Sequence, residues 1–547
     1  MKRRVFLAIY AVALVAISCN NQIIEFECDT ALDAEVERIV DGARHFNPHS
    51  VDAMREACRI LYPTSRNGVD LADEIIVATH KYVRFLPANK AQMDALLDTE
   101  WELFNYPMDY EFPDSVNLST YHDPEIPEDQ ITWQYTVIPI NEPITDTITY
   151  QLLEECYIPD DEEEVQTSVG VVNIAQIENL SYEIASGNSE SASTMALINP
   201  VQTYTGDILV DSIPVKGVKV RMKRGLVVKT AYTSELGKYS IRGRLGSSPT
   251  TEVLFDNMKG FKLGYEYQLI LPSTISLGVF RNINMETNVT YKGWVLGHMN
   301  NAAYDYYNWC TSKGITTPPS NMRLWAITGG MGGAACPMLH HYVPLYWHVG
   351  IPELIDYVLF PRTRHINLIP WVRILLAIFG PDVVLTKVNV ETAENIHNYV
   401  YHELTHSAHF KAVRNNYAAS ALWWSDVIDY EVLQAIMSED NDPYGNGTAS
   451  NCGPAGVAEM WAHAVDQITQ YEIYGGAGCI VGLQMEYEGE EYWFKPSSIW
   501  DLYVGGVPIQ TLFQCLRDPS VRSVELYKSK LLQIASPEYH ALINSKF

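Results

Sequence analysis

The chain has 547 residues, with 38 Lys and Arg against 66 Asp and Glu, for a net charge of −28. Nucleic acid is excluded as a partner, because neutralising phosphates takes clustered cations that so acidic a chain lacks. With 47% apolar residues the chain can bury several cores, and roughly two to four domains are expected.

Lys2, Arg3 and Arg4 precede an apolar run from Val5 to Ile17. The run is shorter than the roughly 20 residues a membrane-spanning helix needs, so residues 1–18 read as a signal peptide. Removing the three leader cations takes the charge to −31. The ending Ala16-Ile17-Ser18-Cys19 resembles a bacterial lipobox. That resemblance implies a lipid on Cys19 and anchorage at the outer membrane or surface of a Gram-negative cell. The later apolar run from Ile366 to Phe379 is broken by Pro370 and Arg373 and offers no second anchor. The remaining cysteines form no CxxC pair, which excludes a cysteine zinc cluster and leaves disulfides or buried thiols open.

Residues 19–111 read as mainly helical, with helical spacing over Asp33–His45, Val51–Leu61, Leu71–His80 and Lys90–Thr99. The stretches Tyr82–Pro87 and Tyr106–Tyr110 resemble the start of surface metallopeptidases from gut-type Gram-negative bacteria. Residues 112–200 are acidic, peaking at Asp160-Asp161-Glu162-Glu163-Glu164, and read as linker or irregular chain. From 201 to 290 short alternating apolar runs and glycine turns predict a β-domain. Pro214–Val220 followed by Thr233–Ser240 resembles the carboxypeptidase regulatory-like, or transthyretin-like, β-sandwich. The resemblance implies an accessory module and brings no site residues.

Residues 291–547 hold the chemistry. Asp382–Val390 predicts a strand, and Glu391–Arg414 predicts a helix with Ile396, Val400, Leu404 and Ala408 on one face. That helix carries His402-Glu403-Leu404-Thr405-His406. Histidines four residues apart on a helix lie about 40° apart around the axis, so both can reach one ion. Glu403 then flanks the metal as a general base that takes a proton from water and passes it to a leaving amine.

A third ligand is needed, and Glu459 in Gly456–His463 is preferred over Glu431, which follows the apolar run Ala421–Trp424. With Glu459 and Ala462 the chain resembles the gluzincin zinc metallopeptidases, whose later helix supplies an E-x-x-A glutamate. The resemblance implies Zn²⁺ held by His402, His406 and Glu459. The position four after the ligand, often acidic in the neprilysin-like branch, is His463 here. The metzincin pattern fails because position 412 is Ala; His409 reads as a packing or supporting residue. A donor to the tetrahedral oxyanion is also required, and His463, Tyr471 and Tyr474 are the choices, with His463 assigned as catalytic beside Glu403. His340, His341, Trp347 and His348 could build substrate subsites.

The expected fold is multidomain: an α+β zincin-like catalytic domain at 291–547, preceded by a small all-β sandwich and a mainly helical N-terminal region. The expected function is zinc-dependent hydrolysis of peptide bonds in extracellular proteins, peptides or glycoproteins. The alternative from another class is a cell-surface binding or adhesion protein with a non-catalytic zincin-like domain. The expected membrane contact is the lipid on Cys19, and the sequence carries no signal for oligomeric state.

Overall fold

The computed structural model describes residues 43–547 except 45–46, 64–69, 113–117, 119–120, 128–129, 145–146, 160–163, 168–169, 186–199, 267–269, 289, 330–332, 343–379, 415–419, 438–442, 475–486, 488 and 490–491. The leader, Cys19, Trp347 and His348 lie outside the described residues. Helices and several sheets share the chain, which is an α+β protein.

In the N-terminal region a helix occupies Val51–Leu61, opened by the Ser50 hydroxyl, which accepts from the Ala53 amide at 3.1 Å. Its Met54, Ala57 and Cys58 pack on Ile177 and Leu180 of the helix Ile174–Ala185. The helix expected over Leu71–His80 stops at Ile75, and His80 opens a strand, His80–Leu86. Tyr82, Val83, Arg84 and Phe85 are buried in succession, so both faces of this strand are covered. It is the centre of an antiparallel sheet, between Gln134–Pro139 and Thr149–Cys156.

Both flanking strands fall where the acidic composition predicts irregular chain. Thr149–Cys156 is an edge strand whose residues are mostly open to water, so Glu154 and Glu155 sit there at little desolvation cost. Acidity there marks a solvated strand face. The end of the helix expected over Asp33–His45 is likewise a short strand, Ala43–Arg44, paired with Tyr110–Glu111.

In the β-region Gln202–Val210 pairs with Lys238–Gly243 and Ile283–Met285 in one sheet. Val218–Arg224 pairs with Val227–Tyr232 and Thr250–Asn257 in the other. Alternate residues such as Tyr204, Ile208, Val220, Met222, Val253 and Ile241 form a common core, as a period of two demands. The second sheet is continuous across residue 290: Thr250–Asn257 pairs with β1 (Phe261–Tyr265), and β1 runs parallel to β2 (Met322–Ala326). β2 in turn runs parallel to β3 (Val383–Thr386).

Four helices position the polar groups of interest. α1 (Lys90–Leu97) belongs to the N-terminal region, and α2 (Tyr291–Lys313) packs on the β-region. A Cβ added at Gly297 of α2 would lie 2.9 Å from Val210 Cβ, so glycine is what permits this approach. α3 (Ala393–Arg414) and α4 (Cys452–Tyr474) pack against each other, and α3 also rests on α2. Ile396, Val400, Leu404 and Ala408 are all fully buried along α3, as their spacing predicts. Among the described residues no helix is long and apolar enough to cross a membrane. Cys58, Cys156, Cys310, Cys336, Cys452 and Cys515 are free thiols.

Candidate metal centre

α3 carries His402, Glu403 and His406, all with at least nine-tenths of their surface buried, and α4 brings Glu459 to them at 4% exposure. The Nε2 atoms of His402 and His406 are 3.1 Å apart. Glu459 Oε2 lies 3.3 Å from His402 Nε2, and its Oε1 lies 3.0 Å from His406 Nε2. A tetrahedral ion with ligands at 2.0–2.1 Å requires donor separations of about 3.3 Å, so two nitrogens and a carboxylate stand at the spacing one small cation needs.

The other ring nitrogen of His402, Nδ1, lies 3.2 Å from Asp466 Oδ2. Asp466 follows Glu459 by two helical turns, so both acids face α3 from the same side of α4. Burial opposes charge on His402, but hydrogen bonds to Asp466 and Glu459 outweigh it and hold the imidazole well above its usual pKa. Burial likewise works against ionised Glu459, yet His406 and His402 hold its carboxyl well below the usual range. The pocket therefore favours a positive charge set between the histidines and the two acids.

Glu403 is pushed upward, first by burial and then by the Glu459 and Asp466 charges, with the two histidines opposing. That direction suits a general base that must take and later return a proton. Glu431, the rival ligand, comes from the helix Ser420–Met437 and meets the Glu459 carboxylate as a neutral neighbour. Burial and then the charges of Glu459 and Glu403 push it well above the carboxylate range. Among the described residues two sets could hold one metal, His402, His406 and Glu459, and His402, His463 and Asp466; neither includes Glu431, and the first is the more buried.

His463 lies one turn after Glu459, with Nε2 3.6 Å from Glu459 Oε2 and 3.3 Å from the Tyr444 hydroxyl. Burial, reinforced by His402, pushes it down to about 3, so its ring is neutral at physiological pH. Tyr492 and Phe494 stack at 4.9 Å, and both rings flank His463. Of the other donors considered, Tyr474 contacts His397 and is 62% exposed, and Tyr471 packs on Trp500. His409 is buried under Trp423, with ring centroids 4.5 Å apart, and is a packing residue. His341 bonds Asp382 at 2.9 Å and the Ser320 carbonyl.

Asp466 and Tyr444 do not emerge from the sequence alone. An acid seven residues after Glu459 on the same helical face is a signal for the first; Tyr444, in a loop, has none. No protein-family model matches the chain, and no curated protein or solved structure matches it.

Proposed function

We propose that the protein is a zinc-dependent peptidase of gluzincin type, with a zincin-like catalytic region. The observation that carries this reading is the convergence of His402 Nε2, His406 Nε2 and the Glu459 carboxylate at 3.0–3.3 Å, with Glu403 beside them on the same turn. Two histidines and a glutamate leave one tetrahedral position for water or substrate, as catalytic zinc sites require. When bound, zinc supplies Lewis-acid polarisation of the scissile carbonyl and makes water easier to deprotonate.

The chain's own residues supply the rest. Asp466 accepts from His402 Nδ1–H and so directs Nε2 toward Glu459. Glu403 takes the proton of the attacking water and delivers it to the leaving amine. His463 and Tyr444 supply N–H or O–H donors at the edge of the site toward the developing oxyanion. A pure binding protein has no use for Glu403, which favours the enzyme over an adhesion module. With the leader and Cys19 we place the enzyme at the cell surface on a lipid anchor, with extracellular proteins, peptides or glycoproteins as substrates.

The test is metal analysis of purified protein together with cleavage of a diverse peptide pool. About one zinc per chain and chelator-sensitive cleavage are expected. Zinc-loaded protein that cleaves nothing across peptide and glycopeptide pools would favour the binding-protein reading.

A further inference from the structure

On β1, Phe261 and Leu263 enter the main core, and on β2 so do Met322 and Leu324. Strand alternation sends Lys262 and Arg323, the residues between them, to the opposite face, away from α3. They are also direct partners in the parallel pairing of β1 with β2, so two cations stand abreast on one sheet face. That face is covered by the N-terminal region: Trp325, the next outward residue on β2, packs with Met93 and Leu96 of α1. Between sheet and helix lies a pocket of about 190 Å³, lined by Lys262, Arg323, His340, Asn321, Asp94, Leu97 and Asp98.

Two cations, Lys262 and Arg323, face two acids, Asp94 and Asp98. Asp94 is shared, since Lys90 contacts it from the same helix and Arg323 Nη2 lies 3.5 Å from it. Asp98 is exposed. Among the described residues Lys262 has no carboxylate within ion-pair distance, and His340 Nδ1 is buried without a hydrogen-bond partner. Three protonatable groups respond alike. Burial, opposed by Asp256 and reinforced by Arg323, pushes Lys262 down; burial, opposed by Asp94 and Asp382, also lowers Arg323. His340 falls to about 2 through burial, then Arg323 and Lys90. In a chain of net charge −28, two cations abreast on one sheet face stand out, and burial is the first cause that lowers each of the three basic groups.

We infer that this pocket is a binding site for a small oxyanion, of phosphate or carboxylate type, held by Lys262 and Arg323 with His340 and Asn321 at its edge. The guanidinium offers paired N–H donors to two oxygens, and the ammonium a point charge beside them. A volume of about 190 Å³ falls below the roughly 300–1,000 Å³ of sites for larger organic ligands, which points to an ion or a single small acid. The site lies across the sheet from the metal centre and stands independently of the peptidase reading.

The test is calorimetric titration of the full chain with inorganic phosphate, and separately with acetate, at constant ionic strength. Wild type should show saturable binding of at least one of them. Lys262→Met should bind roughly tenfold more weakly or worse, since one charge-assisted contact is lost. Its melting temperature in anion-free buffer should be no lower than wild type, because an unpaired buried charge has been removed. Asp98→Asn should bind more tightly, since a repulsive carboxylate is gone. Preference for phosphate or acetate assigns the ligand class. Unchanged binding in Lys262→Met, which leaves the metal centre intact, or no saturable binding of either anion by wild type, would overturn the assignment.

Discussion

Asp466 Oδ2 sits 3.2 Å from His402 Nδ1, on the side of the ring away from Glu459. One carboxylate thus fixes which nitrogen of His402 carries the proton and leaves Nε2 free to act as a ligand. Asp466→Asn should keep the fold and lower zinc affinity roughly 10- to 100-fold, as loss of an outer carboxylate partner does. Competition against a chelator of known affinity measures it. Wild-type affinity in that variant would mean Asp466 does not support the site.

Glu459 and Glu431 should behave oppositely. Glu431 is held neutral beside ionised Glu459, so its amide analogue changes little. Glu431→Gln should retain about one zinc per chain, whereas Glu459→Gln, which removes a charged ligand, should lose it. Zinc lost from Glu431→Gln and kept in Glu459→Gln would reverse the ligand assignment.

A chain of polar groups through two buried histidines predicts acid sensitivity. His298 Nδ1 lies 3.2 Å from His397 Nε2, His298 Nε2 lies 3.1 Å from Asp211, and the Tyr474 hydroxyl contacts His397 Nδ1. With both rings neutral, Tyr474 donates to His397, His397 to His298, and His298 to Asp211, so every contact has one proton. A second proton on His298 would sit on Nδ1 and set N–H against the N–H of His397 Nε2. Burial lowers both histidines from 6.5, His397 to about 3, with His298 adding to the effect at His397. Between pH 6.5 and 3 the unfolded chain therefore binds more protons, and stability falls as pH falls through that window. Each group costs up to about 1.4 kcal/mol per pH unit. Urea midpoints measured from pH 7 to 4 should fall less steeply in His397→Gln than in wild type; equal slopes would remove His397 from the acid response.

The candidate metal site is legible in the sequence because its geometry is local. A spacing of four residues puts His402 and His406 on one face of α3, and Glu459 is the one polar residue in the stretch Gly456–Ala462 of α4. What escapes is set by contacts between distant segments. The burial of Tyr82 to Phe85 depends on strands far downstream, whose exposed acids read as linker. Tyr444 reaches His463 from a loop, and Lys262 meets Arg323 only through the register of β1 on β2. No periodicity in either segment encodes such a pairing.

The most direct measurement compares wild type with Glu403→Gln on a diverse peptide pool, with zinc content determined for both. Glu403 is not a ligand, so the variant should hold the same zinc and keep its fold. Its cleavage rate should fall by roughly 10²- to 10⁴-fold or more, the worth of a positioned general base. Equal cleavage by the two proteins at equal zinc content would contradict the account.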